Sequence, residues 1–298
     1  MTIRQILRRC RRPLLLGLCC LQFVLGVPLA QSAEDRGLLF RAGNVYLLGS
    51  VHMGKADFYP LRAPILAAFQ AADALVVEVD VDAVPPRHLQ AWIGEHGVYA
   101  HGDSLRNHLQ PATWDRLAAY LRQHRVDVDV FAAQKPGLAV AALGQLQLQS
   151  IGYSSALGID GYFLQQAHRQ HKPIQELESI EQQMTLLSEF PNADLLIRQT
   201  LDEADQLPEL MDSLIQAWKD GDGARLEQLL QDDLRNDPDY RVLYDQLYTQ
   251  RNRAMTARIQ QLLQSGRPYF VVVGAAHLLG EDGIVARLQR AGVEVAQL

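Results

Sequence analysis

Short apolar runs rich in β-branched residues mark the predicted strands of this chain. Residues 269–273 are all apolar, are too few for a helix, and follow the helix breakers Gly266 and Pro268. Residues 45–48 have the same character, and a glycine directly follows each run. The two runs therefore predict strands of a parallel sheet, each ending where the backbone can turn sharply.

A third apolar run, residues 74–80, lies beyond a predicted helix at residues 60–72. Strand, helix and strand in this order form a βαβ unit, whose crossover is expected to be right-handed. Shorter strands are predicted at residues 174–177 and 293–295. The chain is therefore expected to adopt an α/β fold with a mostly parallel central sheet and flanking helices.

Helical patterns fill most of the remaining sequence. Residues from about 84 to 150 are predicted to form a helical insert, and residues from about 180 to 263 four or so helical segments that cover the cleft. Residues 282–290 form the last predicted helix. We interpret residues 33–298 as one domain that contains the insert, which is a permissible length for an α/β fold.

Residues 1–32 have the pattern of a signal peptide. Arginines precede an apolar stretch and small residues follow it, so the mature chain is predicted to begin near Ala33. An uncleaved membrane anchor is the alternative. The three cysteines all lie in this segment, so the mature protein would have no disulfide and no cysteine metal site. A periplasmic or secreted location is expected.

The net charge of the predicted mature chain limits the classes of partner that it can be expected to bind. The formal net charge of the whole chain is −6, and it becomes −11 without residues 1–32, which carry five arginines and no acidic residue. An acidic body of this kind argues against nucleic acid as a partner. Contact with a membrane is expected only if the N-terminal segment is not cleaved.

The candidate chemistry begins with a motif that occurs twice. Gly49 and Gly274 each follow a strand-like run, and a histidine stands three residues after each of them, His52 or His277. Because parallel strands present their carboxyl ends at one edge of a sheet, the motif predicts two imidazoles in one crevice, as a divalent transition metal requires. Two unrelated histidines in βα turns are the alternative.

Glu78 is the third candidate residue. It is a carboxylate within the apolar run at residues 74–80, where burial without a metal, a proton or a cationic partner would be costly. If this strand lies at an edge of the sheet, Glu78 is merely solvated.

The doubled Gly-x-x-His motif and the glutamate on the strand after its first copy resemble the TraB/GumN/Tiki family of metalloprotease-like proteins. Further matches follow the family's order along almost the whole mature chain, at residues 158–160, 173–178, 251–255 and 278–283. Glu176 stands where the family is expected to have a glycine. The resemblance implies a metal-dependent hydrolase, related more distantly to the erythromycin esterase and ChaN-like proteins.

The resemblance also implies a role for each matching residue. His52 and His277 would bind a divalent metal such as Mn, Co or Zn, and Glu78 would be a third ligand or the general base for water. Arg251 and Asn252 would stabilise a developing oxyanion. Supporting positions are Gly49, Gly274, Asp160 and Glu178. The expected activity is that of an exported peptidase or related hydrolase acting on a peptide or protein.

Other interpretations of these residues stay open. Asp160 stands at the start of a predicted helix, where it could serve as an N-cap, and Arg251 and Asn252 could lie on an exposed helix face. Most of the remaining histidines are interpreted as surface residues, and the alternatives are a metal pair formed by His168 and His171 and a substrate mouth lined by His96, His101 and His108. The alternative function is a non-catalytic protein that holds a metal, a tetrapyrrole or a peptide in the same cleft.

Overall fold

The computed structural model describes residues 37–188, 192–236 and 241–298. The predicted signal peptide lies outside the described residues. A six-stranded sheet with the order β4-β3-β5-β2-β1-β6 forms the centre of the molecule. Its strands are β1 (Leu38–Ala42), β2 (Val45–Ser50), β3 (Ala74–Val77), β4 (Ile174–Glu176), β5 (Tyr269–Gly274) and β6 (Val295–Gln297).

Four neighbouring strands, β4, β3, β5 and β2, run parallel to one another. β5 lies between β3 and β2 and is buried along its whole length, as its uninterrupted apolar sequence predicts for a strand covered on both faces. The predicted α/β fold with a mostly parallel sheet is confirmed. Glu78 directly follows β3, an interior strand, so the interpretation of that strand as a solvated edge is wrong.

The other side of the sheet differs from the prediction. β1 pairs antiparallel with β2, and β6 pairs antiparallel with β1. The turn between β1 and β2 consists of Gly43, which has φ +54, and Asn44. A glycine–asparagine pair between two apolar runs is a hairpin signal, and the prediction did not use it. β6 begins two residues later than the strand predicted at residues 293–295.

Helices flank the sheet. Phe69 and Phe163, from the first and the sixth helix, lie with their ring centroids 5.6 and 4.9 Å from that of Phe270 in β5. The helices are α1 (Ala63–Ala71), α2 (Pro86–Trp92), α3 (Pro111–Gln123), α4 (Val128–Ala132), α5 (Pro136–Ser150), α6 (Ile159–Gln170), α7 (Ile180–Ser188), α8 (Ala193–Asp202), α9 (Leu207–Asp220), α10 (Gly223–Asn236), α11 (Arg241–Tyr244), α12 (Gln250–Gln264), α13 (Ala275–Leu278) and α14 (Ile284–Arg290). Within the described ranges, none of them combines the length and apolar character that crossing a membrane requires.

A second hydrophobic cluster lies among the helices, apart from the core around the sheet. It combines residues from the region predicted as an insert with residues from α8 and α11, so that region shares its core with later parts of the chain. Its largest buried members are Leu105, Leu109, Leu117, Leu121, Phe131, Leu143, Leu196, Ile197, Leu243, Tyr244 and Tyr248.

Candidate active site

Three of the predicted site residues meet in front of Gly274. A β-carbon added to Gly274 would lie 3.3 Å from His52 Nε2 and 3.4 Å from Glu78 Oε1. The same position is 3.6 Å from Cδ2 of His277. The sheet explains this meeting, because β2 and β3 are the two neighbours of β5, and Ser50 pairs directly with Gly274. Two motifs that are far apart in sequence therefore end in one crevice.

His52 lies in the loop after β2 and is contacted from behind by α6. Oδ1 of Asp160 lies 3.0 Å from its Nδ1, as an ion pair, although neither atom has an aligned hydrogen-bond partner among the described residues. Burial lowers the pKa of His52, but the nearby carboxylate of Asp160 outweighs this effect and raises it to about 9. The N-cap of α6 is Gly158, so the interpretation of Asp160 as an N-cap is wrong.

His277 lies in the short helix α13, directly after β5. Its Nδ1 is 2.6 Å from Oδ1 of Asn252, and Nδ2 of Asn252 donates to the backbone carbonyl of Asp282 at 3.0 Å. Because Oδ1 can only accept, the proton of the imidazole lies on Nδ1, and Nε2 keeps its lone pair. Burial and the charge of Arg251 lower the pKa of His277 to about 3, so the ring is neutral. Asn252 therefore orients His277, whereas the prediction gave it a part in binding an oxyanion.

Glu78 is buried and accepts hydrogen bonds at both carboxylate oxygens. Oε2 accepts from Arg251 Nη2 at 2.8 Å and from Gln183 Nε2 at 3.0 Å. Oε1 accepts from the backbone N–H of Gly274 at 2.7 Å and lies 3.8 Å from His277 Nε2. Burial raises the pKa of Glu78, but the nearby His277, Arg251 and His52, together with the N–H of Gly274, outweigh it and lower the pKa to about 2. Glu78 is thus ionised at neutral pH, and Oε1 retains a lone pair for a ligand.

Arg251 joins Glu78 to a second carboxylate, Glu178. Its Nε and Nη2 donate to the two oxygens of Glu178 at 2.7 Å each, and its Nη1 donates to the carbonyl of Leu247 at 3.2 Å. Burial disfavours the charged form, but the two carboxylates raise the pKa of Arg251 above its usual value. The guanidinium is buried, so the interpretation of an exposed helix face is wrong. Described residues engage four of its five N–H groups and leave one on Nη1 for a ligand.

Two contributors to the site are absent from the sequence-based prediction. Gln183 of α7 donates to the carboxylates of both Glu78 and Glu178, at 3.0 and 3.2 Å. The ring of Tyr248 lies 5.6 Å from that of His277. Gln183 has no distinguishing signal, because it stands in a polar helical run. Tyr248 does have one, since it precedes Arg251 by three residues and so shares its helix face.

A cavity of about 180 Å³ opens in front of these groups. Its polar wall consists of His52, Glu78, Arg251 and His277, and Asn252, Asp160 and Glu178 lie behind that wall. The rest of the cavity is bounded mainly by apolar side chains from α5, α9 and α10. This apolar wall consists of Val140, Ala141, Leu148, Leu207, Met211, Leu214, Ile215, Leu226 and Leu230.

The donor set of the polar wall fits a divalent cation in part. Two imidazoles whose Nδ1 atoms face oxygen acceptors are the arrangement that metal-binding histidines adopt. Nε2 of the neutral His277 keeps its lone pair for a ligand, whereas His52, whose pKa is raised to about 9, must release a proton before its Nε2 can bind a cation. Over the part of the chain that the structure describes, however, no three His, Cys, Asp or Glu side chains form a ready set of metal ligands. The physical reason is that Glu78 directs its oxygens toward Arg251, Gln183 and the Gly274 backbone. A third ligand therefore stays a prediction.

The fold and the site define an α/β protein with a histidine, glutamate and arginine centre at the carboxyl edge of its parallel strands. The sequence model of the TraB/PrgY/gumN family matches residues 39–297, and the chain belongs to this family, as predicted.

Three relatives are similar to this chain over most of its length. It is 30% identical to the uncharacterized protein YbaP of Escherichia coli (strain K12), over 82% of this chain and 87% of that protein, and equally similar to YbaP of Shigella flexneri. It is 23% identical to the metalloprotease TIKI1 of Danio rerio, over 84% of this chain and 60% of that protein. No solved structure matches the chain.

Proposed function

We propose that this protein is an exported hydrolase that cleaves peptides or proteins with the help of a divalent cation at the polar wall. The observation that carries the proposal is the convergence of His52, Glu78 and His277 within 3.6 Å of one point in front of Gly274. The similarity to a relative named a metalloprotease agrees with it. Export rests on the signal-peptide pattern of residues 1–32.

Each residue of the polar wall has its own part in the proposed reaction. A bound Mn, Co or Zn ion would supply Lewis acidity to a substrate carbonyl and acidity to water. His52 and His277 would hold the ion through Nε2, and their Nδ1 contacts would fix both rings. The remaining N–H of Arg251 would donate to the oxygen on which negative charge develops.

Glu78 would act through Oε1, the oxygen that keeps a lone pair. A general base works best when its pKa is near the working pH, and the pKa of Glu78 is lowered to about 2. An ionised carboxylate with so low a pKa suits a contact to the cation better than removal of a proton from water. We therefore assign Glu78 to binding the cation together with the two histidines.

The competing function is a non-catalytic binding protein. It is favoured by the hydrogen bonds that already occupy both oxygens of Glu78, and by the lack of a complete ligand set within the described ranges. Such a protein would hold a cation or a peptide without cleaving anything. A cavity of about 180 Å³ suits a small group rather than a tetrapyrrole, since pockets that enclose drug-sized ligands measure roughly 300–1,000 Å³.

Digestion of a peptide library by the purified protein separates the two functions. With added Mn, Co or Zn we expect cleavage, and with a chelator we expect none. Metal titration by calorimetry runs in parallel, where His52→Ala and His277→Ala should weaken binding. His168→Ala is the control, because His168 is 45% exposed and lies beside Asp80, outside the polar wall. Metal binding without cleavage of any peptide would favour the binding protein, and full binding by His52→Ala would remove the proposed metal site.

A further inference from the structure

The apolar wall has no part in the proposed chemistry, yet it forms most of the cavity. Met211, Leu214 and Ile215 lie at helical spacing on one face of α9 and are buried there. Three polar residues that reach the cavity, Gln147, Thr200 and Glu203, have partners within the protein, whereas Oγ of Ser50 has no aligned partner among the described residues. Gln147 donates to a backbone carbonyl at 3.0 Å, and Glu203 accepts from a neighbouring glutamine at 2.8 Å. The lining is therefore suited to an apolar occupant.

Gly144 lines this cavity without filling it. It lies within α5, where glycine is less favourable for a helix than alanine. A β-carbon added to Gly144 would meet no heavy atom of the described residues within 4 Å. The missing side chain thus leaves open space on the cavity side of a helix that would otherwise be better without glycine.

The size and the lining of the cavity determine what it can hold. Its volume of about 180 Å³ is that of a single side chain, since an apolar cavity of about 150 Å³ accommodates benzene. A charged group would lose its hydration against the apolar wall, and Glu203, the carboxylate that lines this part of the cavity, already accepts a hydrogen bond from Gln199. A large apolar group would gain from burial. His52 and Glu78 bound the same cavity, so its occupant lies beside the groups proposed to act on the substrate.

We infer that the apolar wall is a specificity pocket for one large apolar side chain of a peptide, such as leucine, methionine or phenylalanine, next to the bond that is cleaved. Gly144 determines how large that side chain can be. The inference rests on the proposed hydrolase function and extends it by naming the class of substrate.

A matched series of quenched peptides tests the pocket. The peptides differ only at one position beside the cleaved bond, which is phenylalanine, leucine, alanine or lysine. For the parent protein, kcat/KM for phenylalanine and leucine should exceed that for alanine and lysine by roughly 10- to 100-fold. Gly144→Leu extends a side chain into the cavity, so it should remove most of the preference for phenylalanine. It should leave kcat/KM for the alanine peptide within about twofold of the parent value.

Gly94→Leu is the matched control. Gly94 also stands in a helical turn, and a β-carbon there would likewise meet no described atom within 4 Å, but the residue is exposed and outside the cavity. It should keep the preference of the parent protein. Thermal unfolding shows whether Gly144→Leu folds, and if it does not, Gly144→Ala replaces it and should lower the ratio of phenylalanine to alanine by a smaller factor.

The outcomes distinguish the pocket from the proposed function. Cleavage at equal rates across the series, or an equal loss on all peptides with Gly144→Leu, overturns the pocket and leaves the hydrolase intact. If no peptide is cleaved, the proposed hydrolase function is wrong. Calorimetric measurement of the binding of the same four peptides then tests the proposed pocket separately. Tighter binding of the phenylalanine peptide, with the difference abolished by Gly144→Leu, supports the pocket, and equal binding of all four peptides overturns it.

Discussion

The polar and apolar walls bound one cavity but are held in place by different forces. On the polar wall, each side chain has a specific partner, such as Asn252 for His277 and Arg251 for Glu78. On the apolar wall, side chains such as Met211 and Leu214 are held by burial, which has no directional requirement. Replacing a single atom of a side chain on the polar wall should therefore strongly change stability or cation binding, whereas volume-conserving substitutions on the apolar wall should be tolerated.

The two walls also rest on different parts of the fold. His52, Glu78 and His277 of the polar wall follow the ends of β2, β3 and β5, whose parallel ladder fixes their relative positions, and Arg251 joins them from α12. The apolar wall comes from helices that join the sheet mainly by packing, although Trp218 of α9 also donates to the carbonyl of Gly49 in β2 at 2.7 Å. Precise geometry is best supported by rigid elements with hydrogen-bonded neighbours, and side-chain selection needs only shape. One wall can thus change its preference without altering the other.

The largest expected effect is that of Arg251→Met on the polar wall. The substitution leaves two buried carboxylates, Glu78 and Glu178, without their cation. Removal of one partner from a buried ion pair costs about 3–5 kcal/mol, so the free energy of unfolding in urea should fall by that amount. Arg253→Met is the control, because Arg253 is exposed on the same helix and should change stability by less than about 0.5 kcal/mol. Equal stabilities of the two variants would contradict the role given to this network.

Glu78→Gln keeps the shape of the side chain and removes its charge. We expect hydrolysis and cation affinity to fall together, because Oε1 loses the negative charge that contacts the cation, whereas loss of a general base would lower hydrolysis alone, by roughly 10²- to 10⁴-fold. Excess metal should restore part of the rate. Lost hydrolysis with unchanged affinity would show instead that Glu78 acts as a base. Glu209→Gln, the same change on the exposed side of α9, should leave both quantities unaltered.

Asp160→Ala probes the support behind the polar wall. Partners that orient a metal-binding histidine contribute about 10- to 100-fold to affinity, so calorimetry should show cation binding weakened by that factor. Asp115→Ala, on the exposed face of α3, should bind the cation like the parent protein. Unchanged affinity in Asp160→Ala would mean that its 3.0 Å contact with His52 has no part in holding the ring.

The two walls also differ in how far the sequence predicts them. His52, His277 and Glu78 can be recognised in the sequence because polar or charged side chains are costly to bury without a partner. The two histidines follow strand–glycine runs, and the carboxylate stands within an apolar run. Their convergence follows from the parallel sheet. Met211 and Leu214 carry no such signal, because a cavity lining and a helix core have the same apolar spacing. Their role depends on a void, which is a property of packing between helices distant in sequence.

The hydrogen-bond network that joins Arg251, Glu178 and Gln183 to Glu78 is only partly predictable from the sequence. Arg251 and Glu178 are both marked by their type and position, but their pairing with Glu78 depends on how α12 packs against the end of β4. Gln183 cannot be found at all from sequence alone, since a glutamine among polar helix residues usually faces solvent. The hairpin that adds β1, by contrast, carries a usable sequence signal in Gly43 and Asn44.

The smallest expected effects are those of a glycine-to-alanine substitution made once on each wall. Gly144→Ala should raise the free energy of unfolding in urea by about 0.5–1 kcal/mol, because α5 gains a better helix former and the methyl group enters open space. Gly274→Ala is also compatible with the local backbone, which has φ −50 and ψ 135, but its methyl group would lie 3.3 Å from His52 Nε2. Its effect should therefore appear as weaker cation binding in calorimetry. If Gly144→Ala weakened cation binding as much as Gly274→Ala, the two walls would be coupled, and a change of substrate preference could not leave the chemistry untouched.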